Sequence, residues 1–530
     1  MGIRILAEVF GDILFRFTRS VTEHYNPEEA DFTVEAFGYN PLESTGREWY
    51  YQPVDELIYQ EYSDREASTW DYLPSNSLNI QVVNACSPDE ETDGHQEDDR
   101  AMAWKRLRPP TLNTVGKSMY IGALISLLAA TFLGTQFTLI CSGPLYLKTL
   151  YRTGCSLRAN MTNSSQTPWI MTGSWLIATA SLYIWPFTVL LFLFRPYQLV
   201  GVKRKLLLVC FVFFCLNGFY RGALEALSRS HYKVPSVSTW FPLYVFFISS
   251  LCFQHFLLTR HCCSNSSKKQ KVAFFFQIAV PSCLFFIAGQ MSYRFIYPVY
   301  IAQDKEGKFL TALFAPLFGV LVKIISRICV QRLYNITHPG FSYALLVPLY
   351  YGSAVLFRVL QAELQSLQYI AVIGIIHGAA EVIERSTMVF IDHICHVLWK
   401  RKSAPWGSFR TPRRERLMAD TAIISMLSES TAIVSVNGFI YLYKFFCLHD
   451  NSLLGVLQSF AKYTSVQLVI EWFFTSVSLA IETRYQNLAV IAVWRRRWKR
   501  HFLLAGVNVV PLAVYISGNL RGLASRSEET

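Results

Sequence analysis

Runs of roughly 18 or more apolar residues recur along this chain, each long enough to cross the hydrocarbon core of a bilayer as a helix. A lipid-exposed backbone satisfies its own polar groups as a helix, so repeated long runs point to a helical bundle. Composition agrees: the 530 residues are 52% hydrophobic and 16% charged, whereas a soluble chain carries about a quarter charged residues. The expected fold is an all-α polytopic membrane protein of about eleven transmembrane helices, preceded by an acidic, partly disordered cytosolic arm. The spans are expected at 118–141, 169–194, 206–227, 239–259, 272–300, 309–327, 342–361, 368–398, 420–447, 453–482 and 502–518.

The net charge of +12 conceals two unlike parts. Residues 1–100 hold 22 acidic and 6 basic groups, leaving 15 acidic and 43 basic groups in the remainder. Four regions follow: an amphipathic helix (1–19), an acidic cytosolic arm (20–117), a multispan domain (118–518) and a short outside tail (519–530). Residues 3–18 place Leu6, Val9, Phe10, Ile13, Leu14 and Phe17 at helical spacing with charged residues between them. The run "SPDEETDGHQEDDR" (87–100) has no sizeable apolar residue to bury, which predicts disorder. Tyr39–Leu42 and Tyr51–Val54 fit a short tyrosine-based sorting pattern, so the arm is a candidate surface for a cytosolic partner.

Basic residues orient the spans. Most Lys and Arg beyond residue 100 fall in loops that are cytosolic if the arm is cytosolic, including "VKRK" (202–205), "KKQK" (268–271), "KRKSAPWGSFRTPRRER" (400–416) and "WRRRWKR" (494–500). Beside a bilayer these loops suit anionic lipid headgroups; nucleic-acid binding is not expected. The placement predicts a plasma-membrane or secretory-pathway protein with its N-terminus in the cytosol. Asn160 and Asn163 stand in Asn-x-Ser/Thr sequons in the first outside loop and are expected to carry glycans. The sequons at Asn265 and Asn335 fall in predicted cytosolic loops and are read as chance matches. Cys141 and Cys155 bracket the same outside loop, a possible disulfide, and Cys262–Cys263 sits at a cytosolic membrane edge, a setting for palmitoylation.

The chemistry concentrates in "HGAAEVIERSTMVFIDHICH" (377–396). At 100° per residue, His377, Glu381, Glu384, Arg385, Asp392 and His396 fall within about 120° of one helix face. Charge at bilayer depth costs several kcal/mol unless paired or wet, so this face must meet protein or water. In span ten, Gln467, Glu471, Thr475, Ser478 and Glu482 share an arc of about 80°, and span nine carries Ser425, Ser428, Glu429 and Ser435. Facing one another, the three spans form a polar seam with Glu381, Glu471, His377, Glu429 and Glu384 as its members. Arg221, Arg294, Lys323, Arg358 and Lys462 are the available cations, and Asp392 is expected at the cytosolic interface. Pro and Gly in "APLFG" (315–319) and "VPLYYG" (347–352) suggest kinked spans beside the seam.

Three functions fit. The seam suits a transporter moving a small solute or cation, with His377 near Glu381 placed for proton coupling. A buried His/Glu pair also suits a membrane-embedded lipid- or acyl-transferring enzyme. A scaffold recruiting partners through its acidic arm is the third. No GxxxxGK[ST], HExxH or GxSxG sequence occurs, which removes the usual signatures of ATP hydrolysis, zinc proteolysis and serine esterases. No cofactor is expected, and His377, Glu381 and Glu384, all on one helix, are not read as a metal site.

Overall fold

A computed structural model describes residues 111–143, 166–229, 236–333, 339–400 and 412–526, apart from 195, 265–266, 365, 449–451, 485, 487 and 489. The amphipathic helix, the acidic arm to residue 110, both sorting patterns, Asn160, Asn163, Cys155 and much of the 400–416 basic loop lie outside these residues.

The described chain is helical, without strands. Eleven rods follow in order. They are α1 (Thr111–Leu128, carried on by a π-turn at Ala129–Gly134), α2 (Gln166–Leu193), α3 (Lys203–Arg229), α4 (Ser236–Cys262) and α5 (Lys268–Met291, extended by a π-turn and Tyr297–Ala302). The rest are α6 (Lys305–Gln331), α7 (Val347–Ala362), α8 (Leu367–Lys400), α9 (Pro412–Tyr443), α10 (Leu453–Arg484) and α11 (Val490–Arg526). Among the described residues, nine of them are long and apolar enough to cross a membrane. The other two of the eleven helices, α7 and α11, do not meet this criterion over the described residues. With 16 residues α7 reaches only about 24 Å, short of a hydrocarbon core of about 30 Å. It follows a 3-10 turn at Pro339–Leu345, and Pro348 lies in its first turn. Pro348 therefore starts the helix rather than kinking a span, since proline lacks the N–H that a first turn leaves unused. α11 is longer than the 502–518 expected: the arginines of "WRRRWKR" are good helix formers and continue it backward.

Local sequence explains several starts. Ser267 and Gln270 form a reciprocal capping box at α5, and the Asp304 carboxylate accepts from the Gly307 N–H at 3.0 Å to cap α6.

The bundle is built around α9. Its apolar window is 94% buried in the protein, against 22–50% for the other eight. α7, α10, α11 and α1 pack on it. This burial follows from small side chains, which let helices approach closely in lipid. The hydroxyls of Ser428, Thr431 and Ser435 donate to carbonyls of their own helix. Ser430 and Asn437 reach across to Ser126 (3.0 Å) and Thr464 (3.2 Å). The outer helices turn Leu208, Phe211, Phe219, Phe314, Leu317 and Phe473 outward, an apolar surface suited to acyl chains.

Gly438 of α9 lies against Thr138, in the helical stretch 135–143 that continues α1; a Cβ there would meet the threonine side chain at 2.7 Å. Gly438→Val is expected to push α1 away and cost about 1–3 kcal/mol, read as a lower unfolding midpoint in detergent.

Candidate functional site

The seam residues meet in a buried ionic column along α8. From His377 to Asp392 the charged face advances 15 residues, about 22 Å, or most of a hydrocarbon core.

Arg358 of α7 sits at one end. Its Nη2 donates to Glu429 Oε2 of α9 (3.0 Å) and to Glu471 Oε2 of α10 (2.7 Å). Its Nη1 donates to Gln361 (2.9 Å), whose amide donates to the Ile370 carbonyl (2.6 Å). One guanidinium thus ties three helices, a task its planar fork performs better than an ammonium. The His377 ring stacks on Phe357 at 3.7 Å, with Nε2 3.6 Å from Glu429 Oε1, too far for a hydrogen bond.

One turn along α8, Glu381 Oε1 accepts from the Ser425 hydroxyl at 2.8 Å. Arg385 then makes two parallel bonds to Glu482 of α10 (2.7 and 2.6 Å) and lies 3.8 Å from Glu381. On the α6 side, Lys323 pairs with Glu384 at 3.4 Å and faces the Tyr350 ring at 5.0 Å. Farther on, Arg327 holds Asp392 in a fork (3.0 and 2.7 Å), and Gln331 also donates to that carboxylate.

The predicted grouping of Glu381, Glu429, Glu471, His377 and Glu384 is therefore assembled around one column. Its cations come from α6 and α7 as well, where sequence offered Lys323 and Arg358 without partners. Lys462 is exposed on α10 and takes no part. Asp392, expected at the interface, is buried, because Arg327 lies opposite to neutralise it. The side chains of His393 and His396 are outside the described residues.

A cavity of about 90 Å³ opens between α6, α7 and α8 onto this column. Lys323, His377, Glu381, Glu384 and Glu429 line its polar side. Pro316 and Gly319 of α6 line the other, so the "APLFG" segment does border the site. A second, apolar cavity of about 110 Å³ lies behind it, lined by Phe285, Tyr293, Phe318 and Leu512; the two share Gly319, Ser353 and Leu356.

A separate ionic cluster escaped the sequence reading. Asp420 of α9 pairs with His501 of α11 (2.9 Å) and with Arg416 (3.1 Å), and His501 stacks on Tyr343 at 4.7 Å. Its three ionised or ionisable side chains are almost wholly buried, and it works as a structural clamp between α9 and α11. The one signal sequence carries for it is the i,i+4 spacing of Arg416 and Asp420.

Cys141 is buried with its thiol 3.2 Å from the Ala513 carbonyl. At the end of α4, Cys263 is buried and Cys262 half-buried. No protein-family model, no curated protein and no solved structure matches this chain.

Proposed function

We propose that this chain is a transporter-like membrane protein that passes a small solute or ion along the polar column between its C-terminal helices. The observation that carries the reading is the cavity of about 90 Å³ opening directly onto Glu381, Glu429 and His377. A network serving only to fasten helices has no use for an opening beside its carboxylates, since a dry, closed arrangement strengthens each pair. The cavity has room for a few waters or a small ion, which sets the scale of the cargo in this conformation. Pro316 and Gly319 in its wall give α6 a place to bend, as access that alternates between two faces requires. The acidic arm, on this reading, faces the cytosol of a plasma-membrane or secretory-pathway compartment, and the basic loops rest on anionic headgroups.

A second reading draws on the apolar cavity behind the first. An enzyme handling an acyl chain would place the chain against Phe285 and Phe318 and the reacting group near His377.

Flux into proteoliposomes, across a panel of small ions and polar solutes, separates the two. Glu381→Gln, which keeps the Ser425 hydrogen-bonding partner but removes the charge, is expected to lower the flux of the accepted solute at least tenfold. The protein should remain folded. Absence of flux for every solute, together with stabilisation by acyl-CoA alone, would overturn the transport reading in favour of the enzyme.

A further inference from the structure

Counting charge along the column gives an imbalance. Four cations, Lys323, Arg327, Arg358 and Arg385, face six carboxylates, Glu381, Glu384, Asp392, Glu429, Glu471 and Glu482. Two negative charges are left over when His377 is neutral. Uncompensated charge inside a low-dielectric bundle is costly, so the excess among these residues calls for bound protons or a bound cation.

The place for it is visible. His377, Glu381 and Glu429 each offer one ligand atom, and the three atoms lie within 4.8 Å of one another. Three ligands around one ion at bond lengths of about 2.0–2.2 Å stand roughly 3.4 Å apart, so a modest side-chain rotation closes the set. Both ring nitrogens of His377 are shielded from solvent yet make no hydrogen bond. Their nearest acceptor, Glu429 Oε1, stands 3.6 Å off, and an enclosed imidazole is costly until a nitrogen is put to use. Outer partners already orient the carboxylates. Ser425 donates to Glu381, and Arg358 holds Oε2 of Glu429, leaving Oε1 toward His377. The cavity runs past all three residues, giving an entry path and space for a water as fourth ligand.

We propose that His377, Glu381 and Glu429 form a binding site for one divalent transition-metal ion. The class follows from the donors: one imidazole nitrogen and two carboxylates suit Zn²⁺, Mn²⁺ or Co²⁺ better than the all-oxygen shells of Ca²⁺ and Mg²⁺. Its charge cancels the excess. The ligands come from two helices, α8 and α9, so the ion also locks their register. The site is the one to which the transport reading points and names the cation class for it. Binding is read without any flux, so either idea can fail alone.

The test uses the full chain purified in detergent and stripped with a chelator. Mn²⁺ and Co²⁺ are titrated calorimetrically, and the Co²⁺ visible spectrum reports the donor set. The expected result is one equivalent bound, with at least tenfold weaker binding in both His377→Gln and Glu381→Gln. Ser425→Ala, which only loosens the Glu381 carboxylate, should weaken binding by a smaller factor and provides a readout should the ligand variants fail to fold. One equivalent that survives unchanged in all three variants would place the metal elsewhere and overturn the proposal. So would a wild type that binds neither ion and instead takes up protons, which would assign the excess charge to protonated carboxylates.

Discussion

Replacing Arg358 by Met should be the most damaging single change in the bundle, at about 3–5 kcal/mol. The cost is not the loss of two bonds. It is that Glu429 and Glu471, both buried, would lose their shared counter-charge while remaining on adjacent helices. Unfolding in detergent should show a large fall in midpoint or no recoverable folded protein. The same argument fixes a rescue. Adding Glu429→Gln and Glu471→Gln to Arg358→Met removes the orphaned charges and should recover most of the loss, because a neutral buried set is often as stable as an ionic one. A triple variant no better than the single would show that the guanidinium's packing on Phe357, not its charge, holds the site.

The second large effect is expected at Arg385 and Glu482. Their two parallel bonds are fully enclosed, so Glu482→Gln should cost about 3–5 kcal/mol by leaving Arg385 with Glu381, 3.8 Å away, as its nearest carboxylate. A double-mutant cycle with Arg385→Met measures the coupling. The double variant should be more stable than Glu482→Gln alone, giving a coupling well outside the additive range of about 0.5 kcal/mol. Additive effects would mean that water reaches the pair and screens it.

What sequence shows of this molecule depends on the distance over which a pattern acts. The stripe on α8 was legible because His377, Glu381, Glu384, Arg385 and Asp392 recur at helical spacing in an apolar background, and periodicity is a local property. Glu471 and Glu482 on α10 were legible for the same reason. Arg358 was legible only as an available cation and not as the tie of the column, because its partners lie 71 and 113 residues away. The third member of the His377–Glu381 cluster, Glu429, comes from another helix, so residues of α8 alone did not suggest a metal site. Asp420 and His501 are 81 residues apart and repeat nothing. The length of α7 was not legible for a different reason. Its apolar run continues backward through a 3-10 turn, and composition does not register the change from one helix type to another.

The position of Arg358 also bears on how the protein is made. α7 leaves the ribosome carrying a guanidinium whose carboxylate partners have not yet been synthesised. At roughly 5–20 residues per second, Glu471 follows it by about 6–20 s. Through that interval α7, 16 residues long with Arg358 still lacking its carboxylates, is costly to place in lipid by itself. The expected course is that it stays beside the insertion machinery until α9 and α10 bring Glu429 and Glu471. On that course the C-terminal helices enter the bilayer as a group, and a chain truncated before α10 is expected to leave α7 outside it, read as labelling of a cysteine placed in α7 by a membrane-impermeant reagent.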